Sequence, residues 1–249
     1  MFHFDCGSQR VTVRTAVISD VDRLADLYRA VQITAKQCHE ALNAADGSFQ
    51  QRGGMFEISS AAQIEQLVRD PAETVLVGEF GGSVCGLLWY GMAKADTFAD
   101  LQPFPERQAE AEAVAQVRAN GACGYAKEII SVEEDTPREM PFALFYAMMN
   151  DYVQNGVVQT VGEVYSIDRY ETQGSIYDSG LINLASYRFL LKCGGIELGA
   201  TGQKQVKLEQ YAIWKTPHIF LWNTIDARNI IRQELTERGW RICEDECNE

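Results

Sequence analysis

A strand that runs directly into a helix near the middle of a chain obliges that chain to pack helices against a sheet, and residues 124–156 carry this pattern. "GYAKEIISV" is apolar and β-branched at strand length, "EEDTPRE" is a charged turn, and "MPFALFYAMMNDYVQ" is apolar at helical spacing before Asn155-Gly156 stops it. Phe142, Phe145, Met149 and Tyr152 fall on one face of that helix. Proline suits a first helical position, because the N–H it lacks has no partner there. A helix from Pro141 leaves the N–H groups of Phe142, Ala143 and Leu144 unpaired. With the positive helix end behind them, these donors suit an anion, and Arg138 adds a charge. The turn has no glycine and holds Glu133, Glu134, Asp135 and Glu139, so it also reads as a plain strand-to-helix connection. Thr136-Pro137-Arg138-Glu139 has the form of a capping box, which would begin the helix earlier.

The flanking segments repeat the theme. Val11 to Ile18 alternates as a short strand, and Ser19-Asp20 opens a helix bearing Leu24, Leu27, Tyr28 and Val31. A further helix runs over Ala61 to Val68. "TVLVGEF" and "SVCGLLWYGM" are strands joined by Gly81-Gly82, a hairpin signal. Residues 92–122 interrupt the pattern with two prolines and an Ala/Glu/Gln helix, the form of a lid or a surface ornament. "VVQTVGEVYSI" is another strand, followed by a tyrosine-rich loop over 168–180. Asn183 opens a helix that stops at Gly194-Gly195, "IELGA" and "VKLEQYAIWK" are two late strands, and Ile225 to Arg238 is a terminal helix. One mixed α/β domain accounts for these elements.

Composition removes several classes. The 249 residues carry a formal net charge of −13 without a Lys/Arg cluster, which disfavours nucleic acid and anionic membrane and favours a cationic partner. No apolar run approaches the ~18 residues of a membrane span. The start, "MFHFDCGSQR", lacks the pattern of a secretory signal. The seven cysteines form no Cys-x-x-Cys pair, so reduced thiols in a cytoplasm are expected. His3, His39 and His218 lie far apart, and Cys243 and Cys247 sit in an acidic tail. No metal site and no Ser/His/Asp signature is read from the sequence.

In this order the pieces resemble the GNAT superfamily of N-acetyltransferases. "VRTAVISDVDRLADLYRA" is similar to that family's first strand and helix, and "VLVGEFGGSVCGLLWYG" to its second and third strands. "EIISVEEDTPREMPFA" stands where the family has its acyl-CoA pyrophosphate loop, and "NLASYRFLLKCGG" resembles its late Asn-led helix. Two positions depart from the pattern. Pro141 replaces the loop's first glycine, and Leu190 stands where a tyrosine often protonates the leaving thiolate.

The resemblance implies a GNAT-like, mixed and mostly antiparallel central sheet flanked by helices. The domain would span 11–215, with 92–122 inserted, and 216–249 would be a C-terminal extension. It implies an acetyl-CoA cosubstrate and no metal. Ile130 and Val132 would meet the pantetheine arm through their backbones; Arg138, Phe142, Ala143 and Leu144 would hold the pyrophosphate, and Asn183 would contact the CoA arm or serve as a helix cap. The acceptor would be a small amine, mildly favoured to be cationic, with the insertion shaping its pocket. An ammonium must lose a proton before it attacks a thioester, so a nearby carboxylate is needed, and Glu128 is the candidate. The alternative for Glu128 is a structural pairing with Lys127 or with a neighbouring strand. Tyr187 is the candidate acid, with Tyr165, Tyr170 and Tyr177 as alternatives. A homodimer is compatible with all of this. A non-catalytic GNAT-like module that binds acyl-CoA or a protein partner is the second reading, favoured by Pro141 and Leu190.

Overall fold

The alternating strand and helix patterns resolve, in a computed structural model, into one sheet with helices on both faces. The structure describes residues 1–32, 60–132, 136–172, 175–208 and 211–244; His39, Glu133, Glu134, Asp135 and Cys247 lie outside them. The strands are β1 (Phe2–Cys6), β2 (Gln9–Thr15), β3 (Glu73–Phe80), β4 (Ser83–Met92), β5 (Gln102–Pro103) and β6 (Cys123–Ser131). They continue with β7 (Gln159–Thr172), β8 (Ser175–Ile182), β9 (Ile196–Ala200), β10 (Lys204–Leu208), β11 (Tyr211–Asn223) and β12 (Arg241–Glu244). The helices are α1 (Val21–Val31), α2 (Ala61–Arg69), α3 (Gln108–Ala119), α4 (Met140–Gln154), α5 (Leu184–Lys192) and α6 (Thr224–Glu237).

The sheet runs β12-β1-β2-β3-β4-β6-β7-β11-β9-β5, with β8 added to β7 and β10 to β11. Among the described residues only β6 and β7 pair in parallel, as a strand–helix–strand crossover through α4 requires. The sheet expected from the sequence, mixed, mostly antiparallel and flanked by helices, is the one observed.

Each face has its own core. Leu24, Leu27 and Tyr28 of α1 and Ile64 of α2 pack with Val77, Leu87 and Ile130 of the sheet. Val114 of α3 packs near Cys123, Val161 and Leu198. On the opposite face α4 is buried from Phe142 to Asn150 without a break, far more than the single apolar stripe in its sequence. The outer side of α4 is closed by α6, whose Ala227, Ile231 and Leu235 join the same core as Phe145, Phe220 and Trp222. Edge contacts of Phe145 with Trp222 (5.5 Å) and with Phe189 of α5 (5.4 Å) knit the three layers together.

Several expectations are corrected. The helix begins at Met140, one residue before the proline: Met140 N–H donates to Pro137 O (2.9 Å) and Ala143 N–H to Glu139 O (3.0 Å). The tyrosine-rich stretch is no loop, since β7 continues to Thr172 and pairs with β8. The 215/216 boundary falls inside β11, which pairs with both β7 and β9, so 216–223 belong to the sheet. Beyond them, α6 covers α4 and β12 pairs with β1, an edge strand the sequence reading did not anticipate. The inserted segment is anchored by β5 on β9. There Gly199, at φ 151°, brings its backbone so near Gln102 that a Cβ would sit 2.2 Å from the Gln102 carbonyl oxygen.

Candidate active site at the split between β6 and β7

Two parallel strands in register stay together only while their ladder lasts, and this ladder ends early. β6 and β7 pair from Cys123↔Gln159 to Ala126↔Gly162 and then part. Further along β7, β8 takes that edge, from Ser166↔Ile182 onward. Glu163, Val164 and Tyr165 therefore border an opening, across which the β6 edge continues from Lys127. At the far rim the backbone N–H of Asn183 donates to Tyr165 O (3.4 Å). A bulge in β6 marks the same point: the register with β4 shifts between Trp89 and Tyr90, leaving Lys127 as the extra residue.

Polar groups gather at the mouth of the split on the α1 side. Glu128 accepts a hydrogen bond from the Tyr28 hydroxyl of α1. Glu163 Oε1 accepts from Tyr125 Oη (3.1 Å) and from the Tyr165 hydroxyl, while its Oε2 is buried with no hydrogen-bond partner among the described residues. Burial first, then the Glu163 and Glu128 charges, push the Tyr125 hydroxyl well above the ordinary tyrosine range, so it stays a donor. The inserted segment closes this side through Phe98, held at φ 58° with its ring edge 5.2 Å from Tyr125. Lys127 pairs with Glu73 and lies over the Trp89 ring (4.7 Å), so Glu128 is not its partner.

The other expected residues are placed as follows. Val132 N–H donates to Cys85 O of β4 (3.1 Å), and strand alternation turns Ile130 to β4 as well. Backbone groups facing the split are those of Ile129 and Ser131, which corrects the expectation for Ile130 and Val132. The bulge at Lys127, which no periodicity in the sequence announces, shifts the alternation by one.

At the start of α4, Pro141 has no N–H, Ala143's is taken by Glu139, and Leu144 lies within the helix. The N–H of Phe142 is left without a backbone partner among the described residues. Phe142 itself packs against Phe189 (5.0 Å) and beneath the Arg238 guanidinium (5.1 Å), which also reaches Glu139 (3.3 Å). Met140 fills the space over Gly78 and Gly86, where an added Cβ would come within 2.2 Å of its Sδ and 2.9 Å of its Cγ. The expected row of three free amides is absent, because the helix starts at Met140, before the proline, and the Ala143 N–H already has the Glu139 carbonyl as its partner. Arg138 is exposed beside it.

Asn183 caps α5, its Oδ1 accepting from Ser186 N–H (3.1 Å). Tyr187 Oη donates to Glu197 Oε2 (2.6 Å); that bond and then burial push its hydroxyl up to about 12. A proton already committed to a carboxylate is poorly placed to protonate a thiolate, which counts against Tyr187 as the acid. Tyr170 is buried, and Tyr177 lies on β8. The sequence reading missed Glu163, Tyr125 and Tyr28, whose only signal was their residue type on strands and a helix expected beside the central one.

No protein-family model matches the sequence, and no curated protein matches it. Similar solved structures include an uncharacterized protein from Bacillus halodurans (13% identity, 92% of each chain, TM-score 0.49). Another is a putative acetyltransferase from Salmonella typhimurium with its cofactor acetyl-CoA (15% identity, 86% of this chain and 94% of that one, TM-score 0.46). A third is a putative acetyltransferase of the GNAT family from Desulfovibrio desulfuricans (12% identity, 86% and 99%, TM-score 0.49). These are likenesses of fold.

Among the described residues no helix is long and apolar enough to cross a membrane, and no group of His, Cys, Asp and Glu side chains could hold a metal. Cys6, Cys85, Cys123, Cys193 and Cys243 are free thiols.

Proposed function

We propose that the protein is an acyl-CoA-dependent N-acyltransferase, most simply transferring acetyl from acetyl-CoA to a small, cationic amine. The observation that carries this reading is the split itself. Two strands separate at a bulge, the β6 edge beyond it has no strand partner among the described residues, and two carboxylates stand at the mouth. A pantetheine arm laid in the split would meet the backbones of Ile129 and Ser131, and its thioester would face Glu128. Glu128 then takes the proton that the ammonium must lose, with Tyr28 holding the carboxylate in place. The amine attacks the thioester carbonyl, the carbon–sulfur bond breaks, and CoA leaves as a thiol. Tyr125, Tyr165, Phe98 and Glu163 line the mouth; Lys215 lies over the Tyr165 ring (4.2 Å) and Lys127 over the Tyr125 ring (5.7 Å), so the group left to attract a cationic amine is the Glu163 carboxylate. The CoA diphosphate would be met by the guanidinium groups of Arg138 and Arg238 and by the Phe142 N–H, rather than by a row of amides.

Calorimetric titration with acetyl-CoA, paired with thiol release in the presence of amines, tests this. Binding with turnover that Glu128→Gln removes supports the reading; binding with turnover that Glu128→Gln leaves intact removes Glu128 as the base. The second reading, a GNAT-like module that binds acyl-CoA or a partner without catalysis, is favoured by the packed α4 start and by the engaged Tyr187. Binding without turnover would establish it for acyl-CoA, and absence of binding would point to a protein partner.

A further inference from the structure

A serine, a histidine and a carboxylate scattered over fifty-odd residues of sequence are brought into line by three neighbouring strands. Ser166 stands on β7, His218 on β11 and Glu197 on β9. His218 Nε2 lies 3.0 Å from Ser166 Oγ, and His218 Nδ1 lies 2.8 Å from Glu197 Oε1. Tyr187 Oη steadies the second oxygen of the same carboxylate (2.6 Å). We propose that Ser166, His218 and Glu197 form a nucleophilic acyl-transfer centre, separate from the split, that hydrolyses short acyl esters and thioesters.

Three features of the arrangement support it. First, the imidazole uses different nitrogens for its two partners. With Nδ1–H donated to Glu197, Nε2 presents its lone pair to the serine hydroxyl, the tautomer a general base needs. Second, the Ser166 hydroxyl has two acceptors to choose between, donating to Asp168 Oδ1 (2.9 Å) or, after a turn about one bond, to His218 Nε2; the Asp168 carboxylate is itself fixed by Thr216 and by Gln203 Nε2 (2.8 Å). The Thr216 carbonyl lies 3.5 Å from Oγ. Third, Asp168 is a bulge residue with no partner opposite it in either β8 or β11, so the ladder is broken two residues from the nucleophile. Bulges of this kind re-aim groups beside reactive centres. Solvent reaches the site from the His218 and Glu197 side, whose side chains are 23% and 16% exposed, while Ser166 itself is buried.

The step balances without a further reagent. Ser166 Oγ bonds to the acyl carbon, its proton passes to His218 Nε2, and the bond to the alkoxide or thiolate breaks as His218 returns that proton to the leaving group. Water then repeats the sequence on the acyl-serine, which releases the carboxylic acid and restores the hydroxyl.

The test uses the full chain with p-nitrophenyl acetate as substrate and a fluorophosphonate as covalent probe. The expected results are a fluorophosphonate adduct located by peptide mass spectrometry on Ser166, and hydrolysis that falls by about 100-fold or more in Ser166→Ala and in His218→Gln. Glu197→Gln, which keeps the shape of the carboxylate, is expected to slow hydrolysis while leaving the thermal unfolding midpoint in place, and so guards against reading a folding defect as loss of chemistry. No adduct on Ser166, or equal hydrolysis by the parent chain and Ser166→Ala, overturns the proposal. Because no amine and no CoA enter the assay, its outcome is independent of the acyltransferase reading.

Discussion

The connection from β6 to α4 holds two neighbouring regions that treat polar groups in opposite ways. At the start of α4 the chain spends its residues on closure: Met140 sits over Gly78 and Gly86, Phe142 under Arg238 and against Phe189, and Pro141 supplies no donor. A few residues earlier, at the split, acids are placed beside tyrosines, and among the described residues the strand edge is open and one carboxylate oxygen of Glu163 is buried without a partner. A buried polar atom without a partner is destabilising by ~1–3 kcal/mol, whereas a packed helix start adds stability. The first region is therefore built for holding the fold, and the second keeps a carboxylate oxygen without a hydrogen-bond partner among the described residues.

Four measurements probe this division. The largest effect is expected on the packed side. Trp222 is fully buried between Phe145 and Phe220, so Trp222→Ala should lower the free energy of urea unfolding by about 3–5 kcal/mol. A smaller loss would mean that the layer beneath α4 is looser than its packing implies. On the open side, Glu128→Gln should reduce thiol release from acetyl-CoA by about 100-fold or more at little change in stability, since the amide keeps a bond to Tyr28.

The third measurement compares two residues at the α4 start. Arg238→Ala should weaken acetyl-CoA binding by about tenfold, while Pro141→Gly should alter it by less than about threefold and lower stability by about 1 kcal/mol. Tighter binding by Pro141→Gly would show that backbone amides, not guanidinium groups, receive the diphosphate. The smallest effect concerns pH. Arg14 beside Asp20 holds that carboxyl below its usual range, overriding the opposing influence of burial. A depressed carboxyl contributes stability above its unfolded pKa and loses it as pH falls through the folded value. The stability of the parent chain should thus decline more steeply on acidification below about pH 4 than that of Asp20→Asn, as followed by thermal melts.

Much of the fold was legible in the sequence because local signals agreed with global packing. The hairpin glycines at 81–82, the stop at Asn155-Gly156 and the Asn183 cap all act within a few residues. Glu128, proposed as the base, lay on a strand that the sequence already marked as central. What stayed hidden depends on distant chain. The all-round burial of α4 is set by α6, some eighty residues later, so a single apolar face was all that its own periodicity could suggest. Which backbone groups face the split depends on a bulge at Lys127, and a bulge leaves no period to count. His218 looked isolated because its partners, Ser166 and Glu197, reach it only through strand register.

The cover that α6 places over α4 has a consequence for synthesis. An apolar helix of fifteen residues leaves the ribosome well before its lid has been translated. For that interval it has no screen from water or from other nascent chains, which makes it a natural target for a chaperone. Burial of α4 is thus timed by the synthesis of α6, and shortening the chain before Thr224 should yield aggregation rather than a smaller folded domain.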